Sequence, residues 1–187
     1  MNRHSGRGYT LIEAALVVAI SLAATVMAVP IITNAGNSYR QSATVSATSG
    51  ALAATRFQAI MHGYSYQLVL TPASLSYQIY NEVPPATSFS LIVPAQGSST
   101  TPLPSAGGIT MTLVTCSVAL TNWACTPSAD QTTVNSSTLT YTFAPNGTVT
   151  TSPTGTSPAG VGIQIKNSVK SNTMWISGVG DVGTTSP

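Results

Sequence analysis

The chain has 187 residues and a mass of 19.1 kDa; 43% of its residues are hydrophobic and only 5% are charged. Its formal net charge of +2 comes from Arg3 and Arg7, and the basic and acidic side chains of the remaining residues balance, so long-range attraction of polyanions is not expected. Acid–base catalysis and hydrolytic metal chemistry need carboxylates, histidine or cysteine gathered in one cleft. The few ionisable residues are scattered along the chain, which argues against an enzyme. With so little charge, the surface must be solvated mainly by uncharged polar side chains.

Apolar residues fill a membrane-length segment near the N-terminus. Every residue from 11 to 32 is apolar, small or hydroxylic except Glu13. At about 1.5 Å per helical residue, such a segment crosses a hydrocarbon core of about 30 Å. A carboxylate at membrane depth loses bulk solvation, at a cost of about 3 kcal/mol. Glu13 is therefore a functional-site candidate with a partner to be found, unless it lies near enough to the end of the segment to reach headgroup water.

A short basic leader precedes this segment. It carries Arg3, His4 and Arg7 and no acid, so the positive-inside bias keeps it in the cytoplasm and exports everything after residue 32. An ordinary secretory signal is cut after its apolar region at a small residue, and residues 24–28 offer that alternative here. Cleavage after Gly8 would instead keep the apolar helix on the mature chain. It would also create a free amine about one helical turn from Glu13.

The run from Gly8 to Glu13, Gly-Tyr-Thr-Leu-Ile-Glu, resembles the processing site of type IV pilins and of the pseudopilins of type II secretion. The resemblance implies that a prepilin peptidase cuts after Gly8 and methylates the new amino group of Tyr9, with tyrosine standing where phenylalanine is commonest. It also implies that Glu13 pairs with the N-terminal amine of an adjacent subunit. Such a pair is weakly screened in an apolar bundle and can set the axial register. Pro30 adds to the resemblance, since pilins often carry a helix-bending proline at this depth.

The helical pattern continues beyond the membrane segment. Within residues 38–61, apolar side chains recur three, four and seven positions apart. This spacing predicts one apolar stripe, formed by Val45, Leu52, Ala53, Phe57, Ile60 and Met61. The pair His62-Gly63 supplies a stop signal. Pro30 and Gly36 are interpreted as bends rather than ends, which predicts a single helix of about 50 residues.

After Gly63 the pattern changes to the alternation of β-strands. It predicts strands at residues 64–70 and 75–80 joined by a four-residue turn, at 89–93, 109–114 and 139–143, and a hairpin at 161–165 and 173–177. Asn146-Gly147 marks a turn after which residues 148–151 can pair back. Residues 96–108 and 151–160 are typical of exposed loops. The pattern predicts an α+β fold: a long N-terminal helix, membrane-spanning in its first half and amphipathic in its second, packed on an antiparallel β-sheet domain.

The helix-then-sheet order resembles one branch of the family, the GspH pseudopilins and FimT minor pilins. Three later segments share the resemblance, at residues 54–63, 139–148 and 174–183. DNA-binding members carry arginines between the glycines of the C-terminal tail, whereas Asp181 and Val182 lie there in this chain. The phosphate contacts are therefore missing, and nucleic-acid binding is not expected.

Cys116 and Cys125 are both exported under this topology. An even cysteine count in an oxidising compartment favours a disulfide, and closing a loop of this size contributes about 2–3 kcal/mol on the chain-entropy model. Neither cysteine has a histidine or an acid nearby in the sequence, so neither a metal site nor a thiol nucleophile is expected. His62, beside a helix end, is interpreted as a helix-terminus cation. Asn135 and Asn146 begin glycosylation patterns, the second of which is better explained as a turn.

The sequence therefore indicates a structural subunit of a pilus-like assembly, a minor pilin or an H-type pseudopilin. A major pilin, and an adhesin or DNA-uptake pilin, are the alternatives. The expected organisation is a cytoplasmic leader removed at residues 1–8, a transmembrane and assembly helix at 9–32, an amphipathic helix at 33–63, and a periplasmic β-rich domain at 64–187. The resemblance implies that the partners are prepilin peptidase, other pilin or pseudopilin subunits and a platform in the bacterial inner membrane. No cofactor is expected.

Overall fold

The computed structural model describes residues 10–93, 100–104, 108–117, 124–125, 131–134, 136–152, 160–178 and 180–185, without the side chains of residues 27 and 28. The chain divides into two compact units, Met1–Gly36 and Asn37–Pro187, which are described separately. We call the second unit the head.

One helix, α1, covers Leu11–His62, a length of 52 residues. It begins after Thr10, whose carbonyl oxygen accepts a hydrogen bond from the Glu13 amide at 3.0 Å. It ends at Gly63, which has a φ of +72° and donates its amide hydrogen to the Ala59 carbonyl oxygen at 3.1 Å. Glycine adopts this left-handed conformation without steric cost. The predicted continuous helix and its glycine stop are confirmed.

The part of α1 within the head packs through a face that the apolar spacing did not predict. The buried positions share small or hydroxyl-bearing side chains for the most part; they are Gln41, Thr44, Thr48, Ala51, Leu52, Thr55 and Ala59. Of the predicted stripe, Leu52 is buried and Val45 is half-buried, whereas Phe57 and Met61 are 62% and 65% exposed. The prediction of one buried apolar stripe is therefore wrong.

Threonines can fill this buried face because their hydroxyls bond to the helix itself. Thr48 donates to the Thr44 carbonyl oxygen at 2.8 Å, and Thr55 donates to the Ala51 carbonyl oxygen at 2.7 Å. The hydroxyl is thus satisfied without a partner on the sheets, and only its methyl group meets the core. Short side chains also let the helix backbone approach the strands closely, which large apolar side chains would prevent.

The strands of the head are β1 (Tyr66–Thr71), β2 (Ser76–Asn81), β3 (Ser90–Val93), β4 (Thr101–Pro102), β5 (Thr110–Cys116), β6 (Gln131–Val134), β7 (Leu139–Phe143), β8 (Val149–Ser152), β9 (Gly160–Lys166), β10 (Ser171–Ile176) and β11 (Val182–Thr185). Sheet A has the order β3-β2-β1-β7-β8, with β4 also paired to β2. Sheet B has the order β11-β10-β9-β5-β6. The α+β class, a long N-terminal helix packed against antiparallel strands, is confirmed, but the strands form two sheets.

Local strand predictions agree with the structure where a hairpin connects neighbours. The pairs β1–β2, β7–β8 and β9–β10 are antiparallel hairpins. Gly147 in the β7–β8 turn has a φ of +83°, which accounts for the Asn-Gly signal there. Three short strands are not predicted: β4 and β11 lie in segments interpreted as a loop and a glycine tail, and β6 has no apolar alternation. Their pairing partners, rather than their own residues, make them strands.

The main core lies where α1 meets the inward faces of both sheets. Leu52 of α1 packs in one cluster with Leu68 and Tyr141 of sheet A and with Ile163 and Met174 of sheet B. Both sheets therefore depend on the same helix for burial, which fixes them in a single head.

A smaller cluster covers the opposite face of sheet B. Cys116 and Cys125 form a disulfide, as the sequence predicts. Both cysteines are buried together with Val114 and with Trp175, which is 1% exposed. The disulfide thus holds Cys125 over an indole that would otherwise lie on an outer sheet face.

Tyr141 carries a buried hydroxyl that has no hydrogen-bond partner among the described residues. We expect Tyr141→Phe to raise the free energy of unfolding by about 1 kcal/mol, because it removes the desolvation cost of an unpaired hydroxyl and opens almost no cavity. Tyr80→Phe is the matched control, since the half-buried Tyr80 hydroxyl donates to Gln78 Oε1 at 3.2 Å. That control should be neutral or slightly destabilising. Urea denaturation of the full chain in detergent measures both.

The difference in the free energy of unfolding between Tyr141→Phe and the parent chain should increase at alkaline pH. Burial raises the pKa of Tyr141, so the unfolded chain releases this proton near pH about 10 while the folded chain keeps it. The contribution of Tyr141 to stability is therefore constant below about pH 10 and falls as the pH rises further. Equal urea midpoints for the two proteins at neutral pH and at about pH 11 would contradict the assignment of an unpaired buried hydroxyl.

Candidate functional site

The first unit presents its apolar side chains to the surroundings. Its large hydrophobic residues are each more than half exposed: Leu11, Ile12, Leu16, Val17, Val18, Ile20, Leu22, Val26, Val29, Ile31 and Ile32. By length and composition, α1 contains a stretch that could cross a membrane. An exposed apolar surface of this size needs lipid or other apolar helices as its surroundings.

The hydroxyl groups of this segment are satisfied within the helix. Ser21 donates to the Val17 carbonyl oxygen at 2.8 Å, and Thr25 donates to the Ser21 carbonyl oxygen at 2.8 Å. These bonds let the hydroxyls enter hydrocarbon at little cost. Glu13 differs, because its carboxylate forms no ion pair within the part of the chain that the structure describes. It is the one ionisable side chain described in the segment.

Pro30 lies inside α1, which continues to His62. A proline has no amide hydrogen, so the carbonyl oxygen of Val26 loses its intrahelical donor. The Thr33 hydroxyl bonds to the Pro30 carbonyl oxygen at 3.0 Å and to that of Val29 at 3.2 Å. The helix kink assigned to Pro30 stays a prediction.

The processing residues Gly8 and Tyr9 lie outside the described residues. Cleavage, methylation and the pairing of Glu13 with a Tyr9 amine therefore stay predictions. Of the other predicted site residues, Cys116 and Cys125 are brought together, while Glu13 and Pro30 share one helix.

One ion pair that the sequence did not reveal links α1 to the last hairpin. Arg56 Nη1 lies 2.9 Å from Asp181 Oδ1 and 3.4 Å from the Gly180 carbonyl oxygen. The two side chains are 125 positions apart in the chain, so no local signal could have paired them. Asp181, which the sequence places in the C-terminal glycine tail, is thus a structural residue, and β11 follows it directly. An open cleft of about 430 Å³ lies beside this pair.

Aromatic rings pack against one another at the end of α1. The ring centroids of His62 and Tyr64 are 5.6 Å apart, and those of Tyr64 and Tyr66 are 5.4 Å apart. Burial raises the pKa of Tyr66, with a smaller contribution from its hydrogen bond with Tyr64. No cluster of three or more His, Cys, Asp or Glu side chains suited to a metal ion occurs among the described residues.

No protein-family model matches the chain, and no curated protein matches it significantly. Two solved structures are similar to it. The type IV minor pilin FimU of Pseudomonas aeruginosa aligns with a TM-score of 0.47 and 15% identity, over 81% of this chain and 94% of that one. The minor pseudopilin EpsH of the Vibrio cholerae type 2 secretion system aligns with a TM-score of 0.47 and 11% identity, over 78% and 97%.

The chain is similar to a minor pilin and to a minor pseudopilin. The described residues of this chain form a long helix, whose exposed apolar segment carries Glu13, and antiparallel sheets packed on the second half of that helix.

Proposed function

We propose that the chain is a structural subunit of a type IV pilus or of a type II secretion pseudopilus, a minor pilin or pseudopilin rather than an enzyme. The observation that carries the proposal is the isolation of Glu13. It is the one ionisable side chain described in an exposed apolar segment whose hydroxyls are already satisfied. Lipid can solvate the apolar side chains but cannot solvate the carboxylate, so its partner must come from another molecule or another part of the chain.

The proposed partner is the amine of Tyr9 on an adjacent subunit. Cleavage after Gly8 by a prepilin peptidase creates this amine, and methylation of Tyr9 leaves it cationic. Inside a bundle of apolar helices the attraction between the two charges is weakly screened. The pair therefore selects one axial offset between neighbouring subunits.

Apolar contacts alone would select that offset poorly. Lipid tails are as apolar as leucine, so moving a helix from lipid into a bundle gains little hydrophobic free energy. Close packing at small side chains can hold helices together, and this segment is rich in alanine. Many axial offsets satisfy such packing about equally well. An unpaired charge penalises every offset except the one that pairs it.

In the proposed assembly cycle, the subunit is anchored in the inner membrane with its leader in the cytoplasm and its head in the periplasm. After processing, an assembly platform extracts it into the helical bundle. The partners are the peptidase, the platform and other pilin or pseudopilin subunits.

Mass spectrometry of the protein from its native host tests the processing step. We expect a mature chain that starts at Tyr9 and carries one methyl group on its amine. Gly8→Val should block the cut, because the peptidase site requires a small residue there, while Gly6→Val in the same leader should not. An untrimmed chain, or a cut within residues 24–28, would contradict the proposal.

Quantification of the protein in sheared filaments separates a minor subunit from a major one. We expect it to be sparse relative to the principal filament protein. An abundance equal to that of the filament shaft would favour the major-pilin alternative.

A further inference from the structure

Unpaired positive charge in the head is carried by few residues. The basic residues after the leader are Arg40, Arg56, Lys166 and Lys170. Arg56 is neutralised by Asp181. The other three side chains are exposed and form no ion pair with any described residue.

Long-range hydrogen bonds hold the two backbone segments that carry these three residues against each other. The turn between β9 and β10 contacts the first turns of α1 in the head: Asn167 Nδ2 donates to the Asn37 carbonyl oxygen at 2.9 Å. Two residues before that turn, the Ile165 carbonyl oxygen accepts a hydrogen bond from Gln41 Nε2 at 2.9 Å. The two lysines that flank the turn therefore lie beside the helical turn that carries the arginine.

Asn167 also fixes the conformation of the turn. Its side chain is 5% exposed, and its Oδ1 accepts hydrogen bonds from the amides of Val169 at 2.8 Å and Lys170 at 2.7 Å. Its own amide donates to the Lys170 carbonyl oxygen at 2.9 Å. These hydrogen bonds order the turn and fix the backbone of Lys170 and of the exposed Val169.

The chain joins this end of the head directly to the apolar segment. Asn37 is the first residue of the head, and Ile32 is the last residue of the apolar segment. The intervening helix spans about 8 Å at 1.5 Å per residue. Tyr39, 77% exposed, lies in the same stretch, and tyrosine is enriched at the membrane–water interface.

We propose that Arg40, Lys166 and Lys170 form a cationic collar that binds the phosphate groups of anionic phospholipids at the membrane surface. Tyr39 and Val169 enter the headgroup layer beside them. Each cation near an anionic surface favours the bound state about fivefold. The collar holds the head against the membrane before assembly, and extraction of the subunit has to break these contacts. The inference rests on the membrane anchoring of α1 within the proposed function, but not on filament assembly.

The test uses the full chain reconstituted in nanodiscs of phosphatidylcholine, with or without phosphatidylglycerol. An environment-sensitive fluorophore is attached to Val169→Cys while the native disulfide stays oxidised, and its quenching by aqueous iodide is measured. We expect protection from iodide only with phosphatidylglycerol. The protection should disappear at about 1 M salt, where the Debye length is about 3 Å.

Charge variants test which residues are responsible. In phosphatidylglycerol, the ratio of protected to unprotected probe should fall about fivefold in each of Arg40→Gln, Lys166→Gln and Lys170→Gln. The ratio should be retained in Lys166→Arg and Lys170→Arg. Thr150→Glu is the matched control: it changes the net charge by the same amount on the exposed side of β8, and it should leave protection unchanged. Thermal melts check that each variant is folded.

Three results would overturn the collar. Equal protection in both lipids would show proximity without charge recognition. No protection in either lipid would show that the head does not contact the surface. Protection in phosphatidylcholine on adding a DNA duplex, without an effect of phosphatidylglycerol, would make the three cations a nucleic-acid site. Alkaline carbonate extraction is read separately, because release of the chain would overturn membrane anchoring itself, whereas retention without lipid-dependent protection overturns the collar alone.

Discussion

Glu13→Gln should nearly abolish incorporation of the chain into filaments while leaving membrane insertion intact. Glutamine keeps the size of the side chain and removes its charge, so in the proposed assembly the Tyr9 amine of the adjacent subunit would be left without a counter-charge. Breaking one side of a buried ion pair costs about 3–5 kcal/mol. At about tenfold per 1.4 kcal/mol, incorporation should fall by about a hundredfold or more.

Co-purification with partner pilins, normalised to the amount of membrane-inserted protein, measures this loss. Ser21→Ala is the matched control, because it removes a polar group from the same segment. Among the described residues, the Ser21 hydroxyl bonds only within its own helix, to the Val17 carbonyl oxygen at 2.8 Å. That variant should be incorporated normally. Normal incorporation of Glu13→Gln would rule out the register role of the carboxylate and leave apolar packing as the basis of assembly.

Gly162→Ala should destabilise the head by about 3 kcal/mol, a large part of the stability of a typical domain. Gly162 lies in β9 opposite Trp175 of β10. A Cβ atom at position 162 would lie 2.7 Å from the Met174 carbonyl oxygen and 2.8 Å from Cε3 of the Trp175 ring. Neither group can move easily, since one is backbone in a sheet and the other is an indole only 1% exposed. The added methyl group must therefore separate the strands or displace the ring.

Thermal unfolding of the full chain in detergent measures this effect, with a midpoint shift of about 2–4 °C per kcal/mol. Gly50→Ala is the control for the loss of a glycine as such. Gly50 lies on the exposed side of α1, and no atom lies within 4 Å of a Cβ added there. That substitution should stabilise the helix by about 0.5–1 kcal/mol. If Gly162→Ala melted at or above the parent temperature, the close contact with Trp175 would be wrong.

The features predicted correctly depend on residues that are close in the sequence. The stop of α1 at Gly63 needs only a left-handed residue after the last helical turn. The β1–β2 and β9–β10 hairpins follow from alternation on both sides of a short turn. The Asn146-Gly147 pair likewise predicts its turn locally, because the turn needs a positive φ and Gly147 adopts one.

The apolar stripe on α1 shows where sequence periodicity failed. Phe57 and Met61 have the spacing of a buried face, yet they are exposed, whereas Thr48 and Thr55 are buried. The periodicity reports which residues share a face of the helix, but the sheets decide which face is covered. A close approach between helix and strands favours threonine and alanine over large side chains. The cost of burying the threonine hydroxyls is offset by hydrogen bonds within the helix. A hydrophobicity pattern does not include these bonds.

The sequence by itself determined the membrane-length helix, the carboxylate of Glu13 within it, the hairpins and the presence of a cysteine pair. These follow from hydrophobicity, charge and turn chemistry over a few neighbouring residues. Only the tertiary structure decided that the strands form two sheets, that Arg56 pairs with Asp181, that the disulfide covers Trp175, and that the turn between β9 and β10 contacts α1 at Asn37. Each of these joins segments that are distant in the chain. Their pairing is selected by the free energy of the whole packed core, which no local pattern contains.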